Sequence, residues 1–468
     1  GVYVGEFAAG LGNIALVVRA DRSAAILAHL PATGTALSSG ELRIDLTGTF
    51  ALRLTTVGPA PATVTVQGRI NEIAGTVAGE VPELRATFTG SRSTAGASPL
   101  SAGLYTLGLI GTASGGQAVV APNGQTLLVT TAGSVVDGLK ATLGANGRLN
   151  ATTSGGATVD LAFTGGLVTG SVRAGGSAAG TLAGALVERA ADRRLVNVSV
   201  RAFSGSAAAG LITGFVVAGD AAKQVMVRAA GPSIATAPFN LVDAIRDPSL
   251  QVFRGTTSAG QNDDWGANAA AVTAAATRVG AFPFRTGSAD AALIGTLAPG
   301  AYTVTIGGGT GTVLAEVYEV PATGEVAGAR RLVNLSARGA VTPETPLIAG
   351  FVVAGSAPQL VLVRGVGPTI GATPFSLPGA LPNPQLTLFR DNVVVKANDD
   401  WFRDADAALI RSAAARCGAF ALGATTLDAA MLLYLAPGAY TAQVSGPRDA
   451  GSGNSEGLAM VEVYEVAP

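Results

Sequence analysis

The sequence predicts an all-β protein, with an N-terminal antiparallel β-repeat barrel or roll followed by two tandem jelly-roll-like β-sandwiches, each with one short helix. Three observations carry that prediction. Short β-branched runs recur about every 8–12 residues between turn signals. Helical periodicity is nearly absent. Large blocks of the chain occur twice. Composition agrees: 64 of 468 residues are Gly, the hydrophobic class is 48% and charged residues are 13%, against about 25% charged in ordinary domains. A chain this apolar is not disordered, and its glycines lack the three-residue period of collagen. No apolar run reaches the roughly 20 residues of a spanning helix.

From the N-terminus, Asn13 to Arg19, Leu42 to Leu46, Phe50 to Leu54 and Thr63 to Gln67 are strand-like runs. Asn123-Gly124 and Asn146-Gly147 suit hairpin turns, because Asn and Gly tolerate the positive φ that a type I′ turn demands. Gly1-Val2-Tyr3 is echoed by Gly103-Leu104-Tyr105, and Gly40 to Phe50 by Gly138 to Leu149. Two related β-repeats, 1–95 and 96–190, are expected, either as one domain or as two.

The later duplication is sharper. Gly214 to Gly219 returns unchanged at Gly350 to Gly355, Val227-Arg228 with Gly231-Pro232 returns as Val363-Arg364 with Gly367-Pro368, and Asn262-Asp263-Asp264-Trp265 as Asn398-Asp399-Asp400-Trp401. Leu297 to Thr303 returns at Leu435 to Thr441, and both copies close on Glu-Val-Tyr-Glu-Val, at 316–320 and 462–466. Two copies of one domain follow, at 194–320 and 331–468, with extra residues in the loop Pro447 to Gly457. The Ala-rich stretches Ala267 to Arg278 and Arg403 to Arg416 end before Gly280 and Gly418, as helices with a C-terminal glycine do. The short linker Pro321 to Arg330 predicts two sandwiches packed in fixed succession.

The second half of each late copy resembles the bacterial pre-peptidase C-terminal domain family. The resemblance rests on Leu250 to Phe253, Asn262 to Asp264, Asp290, Leu297 to Thr303 and Val317-Tyr318. In the second copy it rests on Leu386 to Phe389, Asn398 to Asp400, Asp428, Leu435 to Thr441 and Val463-Tyr464. It implies jelly-roll sandwiches of secreted or cell-surface bacterial proteins, some of which hold Ca²⁺ through acidic loops. The segment Leu195 to Pro248 and the helix after the Trp depart from the family pattern.

Hard oxygen ligands on loops make Asn262, Asp263, Asp264 and Asp290, and Asn398, Asp399, Asp400 and Asp428, the candidate Ca²⁺ ligands; no other cofactor is expected. The competing reading is that Asp264 and Asp400 cap a helix while the others shape a turn. Trp265 and Trp401 are candidate sugar-stacking platforms, or else core plugs. His29 is the single histidine and lies in a strand-like run. Cys417 aligns with Val279 as a small helix residue. Glu316 with Tyr318, and Glu462 with Tyr464, share a strand face by period-two alternation; a carboxylate pair for sugar hydrolysis is the chemical reading and domain closure the structural one. No catalytic residues are assigned.

With 30 basic and 31 acidic residues the net charge is −1, which favours neither nucleic acid nor an anionic membrane. A chain beginning at Gly1 with low charge is expected to be an exported chain, outside the cell or on its surface, with its signal removed, or a piece of a longer one. Lys, a common guard of exposed sheet edges, occurs three times, so edges are expected to be used. These readings lead to a non-enzymatic structural or adhesive protein, a self-assembling homo-oligomer or polymer joined through sheet edges. Gly1, Val2, Tyr3, Val4, Gly5, Glu6 and Phe7 form the candidate assembly strand. The alternative is a set of polysaccharide-binding accessory domains of a secreted hydrolase.

Overall fold

Alternation decides the architecture of the first 190 residues. Along 49–55 and 63–71 buried side chains alternate with exposed ones, the period-two pattern of a sheet with one face inward. The computed structural model describes residues 1–19, 22–94, 102–144, 146–175, 177, 179–187, 194–205, 210–219, 221–321, 330–342, 344–355, 358–447 and 455–466. The boundary at 95–101, the linker residues 322–329 and the insertion residues 448–454 lie outside the described residues. The chain divides into two compact units, the first built on Gly1–Ala191 and the second on the two late copies.

The first unit holds two eight-stranded antiparallel sheets, each rolled into a nearly closed barrel. The strands of the first are β1 (Val2–Phe7), β2 (Asn13–Val18), β3 (Ser23–Leu30), β4 (Thr35–Arg43), β5 (Thr49–Thr55), β6 (Thr63–Asn71), β7 (Thr76–Val81) and β8 (Ala86–Arg92). The second has β9 (Gly103–Leu109), β10 (Gly115–Val120), β11 (Gln125–Ala132), β12 (Val135–Thr142), β13 (Arg148–Thr152), β14 (Thr158–Thr164), β15 (Leu167–Arg173) and β16 (Gly180–Leu186). Each follows the order 4-3-2-1-8-7-6-5, a meander closed by pairing its first strand to its last. Among the described residues, only the seam between the fourth and fifth strands lacks a full ladder. In the first barrel two backbone hydrogen bonds between Ala36 and Val57, at 2.8 and 2.9 Å, bridge it. In the second, Asp137 bridges it: its carboxylate accepts from Thr153 Oγ1, from Ser154 Oγ at 2.9 Å and from the Gly155 N–H at 2.7 Å. Burial raises the Asp137 carboxyl, but these bonds together outweigh it and hold the group below the ordinary carboxylate range.

Side chains, not solvent, fill each barrel. Tyr3, Phe7, Phe50 and Phe88 meet Ile, Val, Leu and Ala from the other strands in the first, with Phe7 edge-on to Phe88. Tyr105 and Phe163 do the same in the second. A third apolar cluster joins the barrels through their outer faces, with Val2, Val4, Val17 and Leu27 against Leu104, Val119, Leu127 and Val129. Strands β1 to β3 are therefore apolar on both faces, and their sequence runs lose the alternation seen in β5 and β6.

This placement corrects the expected assembly strand. Gly1 to Phe7 is no free terminus: β1 is hydrogen-bonded to β2 on one side and β8 on the other, at the middle of its sheet. With both edges occupied it has no N–H or C=O row to offer a neighbouring chain.

The second unit consists of the two late copies. Copy 1 contains β17 (Arg194–Ser204), β18 (Ile212–Gly219), β19 (Lys223–Ala230), β20 (Ser249–Arg254), β21 (Thr257–Asn262), helix α1 (Ala269–Val279), β22 (Ala291–Leu297), β23 (Gly300–Gly307) and β24 (Gly311–Glu319). Copy 2 contains β25 (Arg330–Val341), β26 (Leu347–Ala354), β27 (Gln359–Val366), a one-turn helix (Pro368–Gly371) beyond the single helix expected, β28 (Gln385–Arg390), β29 (Val393–Asn398), helix α2 (Ala407–Arg416), β30 (Ala429–Leu435), β31 (Gly438–Ser445) and β32 (Gly457–Val466). In copy 1 one layer runs β21-β20-β23-β18 and the other β22-β19-β24-β17; copy 2 repeats both.

The copies do not pack as separate sandwiches in succession. Strand β17 pairs with β24 of its own copy and with β26 of the other, while β25 pairs with β32 and with β18. Each first strand thus spans two copies, and all sixteen strands form one continuous sheet. Both crossings carry a bulge, between Leu195 and Asn197 and between Leu332 and Asn334. Hydrophobic alternation could not reveal the exchange, because the same face of β26 is apolar whichever copy supplies its neighbour. Among the described residues no helix is long and apolar enough to cross a membrane.

Two outcomes follow. A fragment spanning 192–329 lacks the strand that completes β18, so it should elute as a dimer exchanging β17 or fail to fold; a stable monomer would contradict the exchange. The second outcome concerns His29, on β3, which is 2% exposed with Nδ1 turned toward Gly138 of β12. Burial lowers its pKa, with Asp137 the opposing charge. The unfolded chain then takes a proton that the folded one refuses. Stability should fall as pH drops from about 6.5 through the lowered folded value, and His29→Gln should flatten that part of a Tm-against-pH profile.

Candidate functional site

Each late copy is organised around an arginine in the middle of a strand. Arg228 on β19 and Arg364 on β27 are fully buried. Arg228 Nη2 lies 2.7 Å from Glu316 Oε2 and its Nη1 donates to the Phe282 carbonyl at 2.7 Å. In copy 2 Arg364 Nε donates to Glu462 Oε2 at 2.7 Å, Nη2 donates to the same carboxylate, and Nη1 donates to the Phe420 carbonyl at 2.6 Å. The Tyr318 and Tyr464 hydroxyls donate to the other oxygen of Glu316 and Glu462, each at 2.7 Å. Burial pushes the Glu316 carboxyl above the ordinary range against the pull of Arg228, and it pushes both tyrosines well up. The shared strand face of Glu316 with Tyr318, and of Glu462 with Tyr464, is as the alternation predicts. The carboxylates face an arginine in the core, not a second acid across a cleft.

Asp290 and Asp428, expected as metal ligands, sit at a second buried node. Asp290 Oδ1 accepts from the Gly231 and Ser233 N–H groups at 2.8 and 3.2 Å; Oδ2 accepts from the Ser233 hydroxyl and from Ser288 Oγ at 2.6 Å. Asp428 repeats this with the Gly367 and Thr369 N–H groups, the Thr369 hydroxyl and Thr426. The carboxylate therefore pins the Gly-Pro turn that follows β19 or β27. Those glycines are required by close approach: a Cβ on Gly231 or Gly367 would lie 2.0 Å from a backbone carbonyl.

The four expected ligands of each copy do not converge. Asn262 Oδ1 accepts the Ala292 N–H at 2.8 Å and its amide donates to the Asp264 carbonyl at 2.9 Å; Asn398 does likewise with Ala430 and Asp400. Asp263 and Asp399 are exposed, as is Asp264. With Asp290 and Asp428 saturated by protein donors, the set does not fit a Ca²⁺ shell of six to eight oxygens. Among the described residues no three His, Cys, Asp or Glu side chains cluster to hold a metal. The capping alternative is also corrected. Neither Asp264 nor Asp400 makes a side-chain cap bond, the helices start at Ala269 and Ala407, and Asp400 takes Arg403 at 3.3 Å instead.

Trp265 and Trp401 are core plugs, 6% and 2% exposed. Their indole N–H groups donate inward, to Ser288 Oγ and the Gly423 carbonyl, each at 3.2 Å. This corrects the sugar-stacking reading, since both rings are buried and neither forms an exposed platform. Cys417 follows α2 half-buried, and burial raises its thiol pKa, opposite to what a nucleophile needs.

Two features lie at the surface. A polar groove of about 810 Å³ runs over β20, β21 and β23, lined by Ser249, Gln251, Gln261, Asn262, Asp263 and Thr305. Among the described residues, four strands of this sheet have a single strand partner: β21 and β29, at the two ends of the long path, and β22 and β30, which end the branches through β19 and β27. Val393 and Val394 on β29 are 67% and 55% exposed. The turn before them, Asp391-Asn392 with both φ positive, is of the type I′ kind that suits a two-residue hairpin, and the pairing behind it is broken by one bulge, at Val395. Lys396, the strand's lone charge, is drawn to Asp404 at 2.8 Å.

Arg228 and Arg364 were the residues that sequence reasoning passed over. Their signal was present: an arginine ends the apolar run Val225-Met226-Val227 in one copy and Leu360 to Val363 in the other. Removing one partner leaves a buried charge uncompensated, which costs about 3–5 kcal/mol. Glu462→Gln should therefore lower the denaturation midpoint strongly, whereas Arg364→Met with Glu462→Leu should recover much of the loss. Equal destabilisation by the single and double variants would contradict the ion pair's role.

No family model matches this sequence, and no curated protein matches it. Among solved structures, a GH31 alpha-xylosidase from Xanthomonas citri aligns at 8% identity over 88% of this chain and 38% of that one, with a TM-score of 0.11, at which no likeness of fold is drawn. This chain thus spans well under half the length of that enzyme.

Proposed function

We propose that this chain is a non-enzymatic structural or adhesive protein that works outside the cell and associates with copies of itself through sheet edges. The observation that carries the reading is the β29 edge. Strand β29 pairs with β28 on one side only, exposes its valines, and has its single lysine engaged by Asp404, so its outer edge carries no proline and no uncompensated charge, and a bulge at Val395 is its one irregularity. The repeat supplies a second edge, β21, at the opposite end of the same sheet path, and two edges on one body permit chains of subunits. The titratable groups point the same way, since the buried carboxylates of both copies are engaged in holding strands and turns. Resemblance of the late copies to secreted bacterial domains supports the extracellular setting, and with it the bacterial origin.

A second reading, polysaccharide binding, is favoured by the amide- and hydroxyl-lined groove beside β21. Negative-stain electron microscopy and sedimentation of the whole chain, alongside Val394→Lys, separate the two. The edge reading expects oligomers or fibres that the charged edge abolishes while the fold is retained. Dispersed wild-type monomers would overturn it. Retention of such monomers in polysaccharide-containing gels, lost on Gln251→Ala, would then favour the groove.

A further inference from the structure

The two copies differ at one internal position with a chemical consequence. Phe284 and Leu422 correspond, each lying six residues ahead of the anchoring aspartate, Asp290 or Asp428. In copy 1 the Phe284 ring is buried, its centroid 4.0 Å from the Arg228 guanidinium and 5.7 Å from the Trp265 ring, edge-on to the indole. Phe282 stands 4.4 Å from the same guanidinium, so Arg228 has two close aromatic neighbours. In copy 2 Arg364 keeps one of them, Phe420 at 4.3 Å. Among the residues walling the mainly apolar cavity of about 160 Å³ that lies beside these positions are Arg364, Trp401, Ile410, Arg411, Ala414 and Leu422. Among the neighbouring lining positions, Ala421 and Ala415 are smaller than their counterparts Pro283 and Thr277, while Ile410 and Arg411 are larger than Val272 and Thr273.

We propose that this cavity is a binding site for a small, free aromatic molecule, whose ring takes the place that Phe284 holds in copy 1. The size fits, since an apolar protein cavity of about 150 Å³ holds benzene. The chemistry fits as well. Arg364 directs its Nε and Nη2 to Glu462 and its Nη1 to the Phe420 carbonyl. An anion would find the Arg364 donors engaged and only Arg411, above the Trp401 ring, to meet it, whereas the Arg364 guanidinium still attracts the π-electrons of a ring. Trp401 offers its ring to the same space, and Arg411 lies over that indole at 5.4 Å. Copy 1 therefore displays, with its own side chain, the contacts that copy 2 leaves to a ligand.

The test uses the whole chain carrying Trp265→Phe, so that Trp401 is the sole tryptophan, titrated with benzyl alcohol. The expected result is a saturable change in Trp401 emission and a rise in Tm with ligand, weakened at least tenfold by Leu422→Phe, which fills the cavity. Cyclohexylmethanol, of similar size without π-electrons, should bind at least severalfold more weakly. Absence of saturation, an equal response in Leu422→Phe, or equal binding of the saturated alcohol would each overturn the proposal. Should Trp265→Phe fail to fold, the same ligands are compared by thermal shift on the wild-type chain and Leu422→Phe, with the same outcomes deciding.

Discussion

A guanidinium with no access to water must find every compensation inside the protein, and the second unit is arranged around two of them. Arg228 and Arg364 draw to one point the closing strand, through Glu316 or Glu462, and the segment behind the helix, through the carbonyl of Phe282 or Phe420. Once that segment is held, its continuation brings Asp290 or Asp428 beneath the Gly-Pro turn, and the tryptophan beside it closes the space under the helix. Strand, helix and turn thus share one electrostatic anchor. Such anchors add little net stability compared with an apolar filling, but they tolerate few alternative arrangements.

The first unit obeys a different constraint. Its barrel interiors are filled with Phe, Tyr, Ile, Leu and Val, and closure satisfies the backbone along every strand except at one seam. The polar device there, Asp137, stands where the ladder is interrupted and substitutes side-chain acceptors for the missing backbone ones. Joining the barrels through the outer faces of β1 to β3 and β9 to β11 then takes the central strands out of reach of any neighbour.

Class, repeats and helices were legible because they are local. Period-two patterning marks strands, and the glycines at 280 and 418, both at positive φ, mark helix ends wherever the rest of the chain lies. The exchange of β17 and β25 was not legible, since pairing partners far apart in sequence leave no trace in alternation. The Asn-Asp-Asp motif misled for a related reason. Asparagine and aspartate are shared by metal loops, caps and turns, and only the partners of each oxygen distinguish them. The roles of Arg228 and Arg364 depended on the register of β19 with β24 and of β27 with β32, which brings Arg228 opposite Glu316 and Arg364 opposite Glu462.

Exchange of first strands has a consequence for how the copies have been free to differ. Two separate polypeptides completing each other's sheets must meet by diffusion, and any change to one sequence alters both halves at once. Linking them in one chain replaces that encounter with a high effective concentration and gives each half its own sequence. Leu422 where copy 1 has Phe284, the neutral Gln359 where copy 1 has Lys223, and the valines of β29 where copy 1 has Thr257 and Ser258 are differences that a symmetric pair could not carry on one side alone.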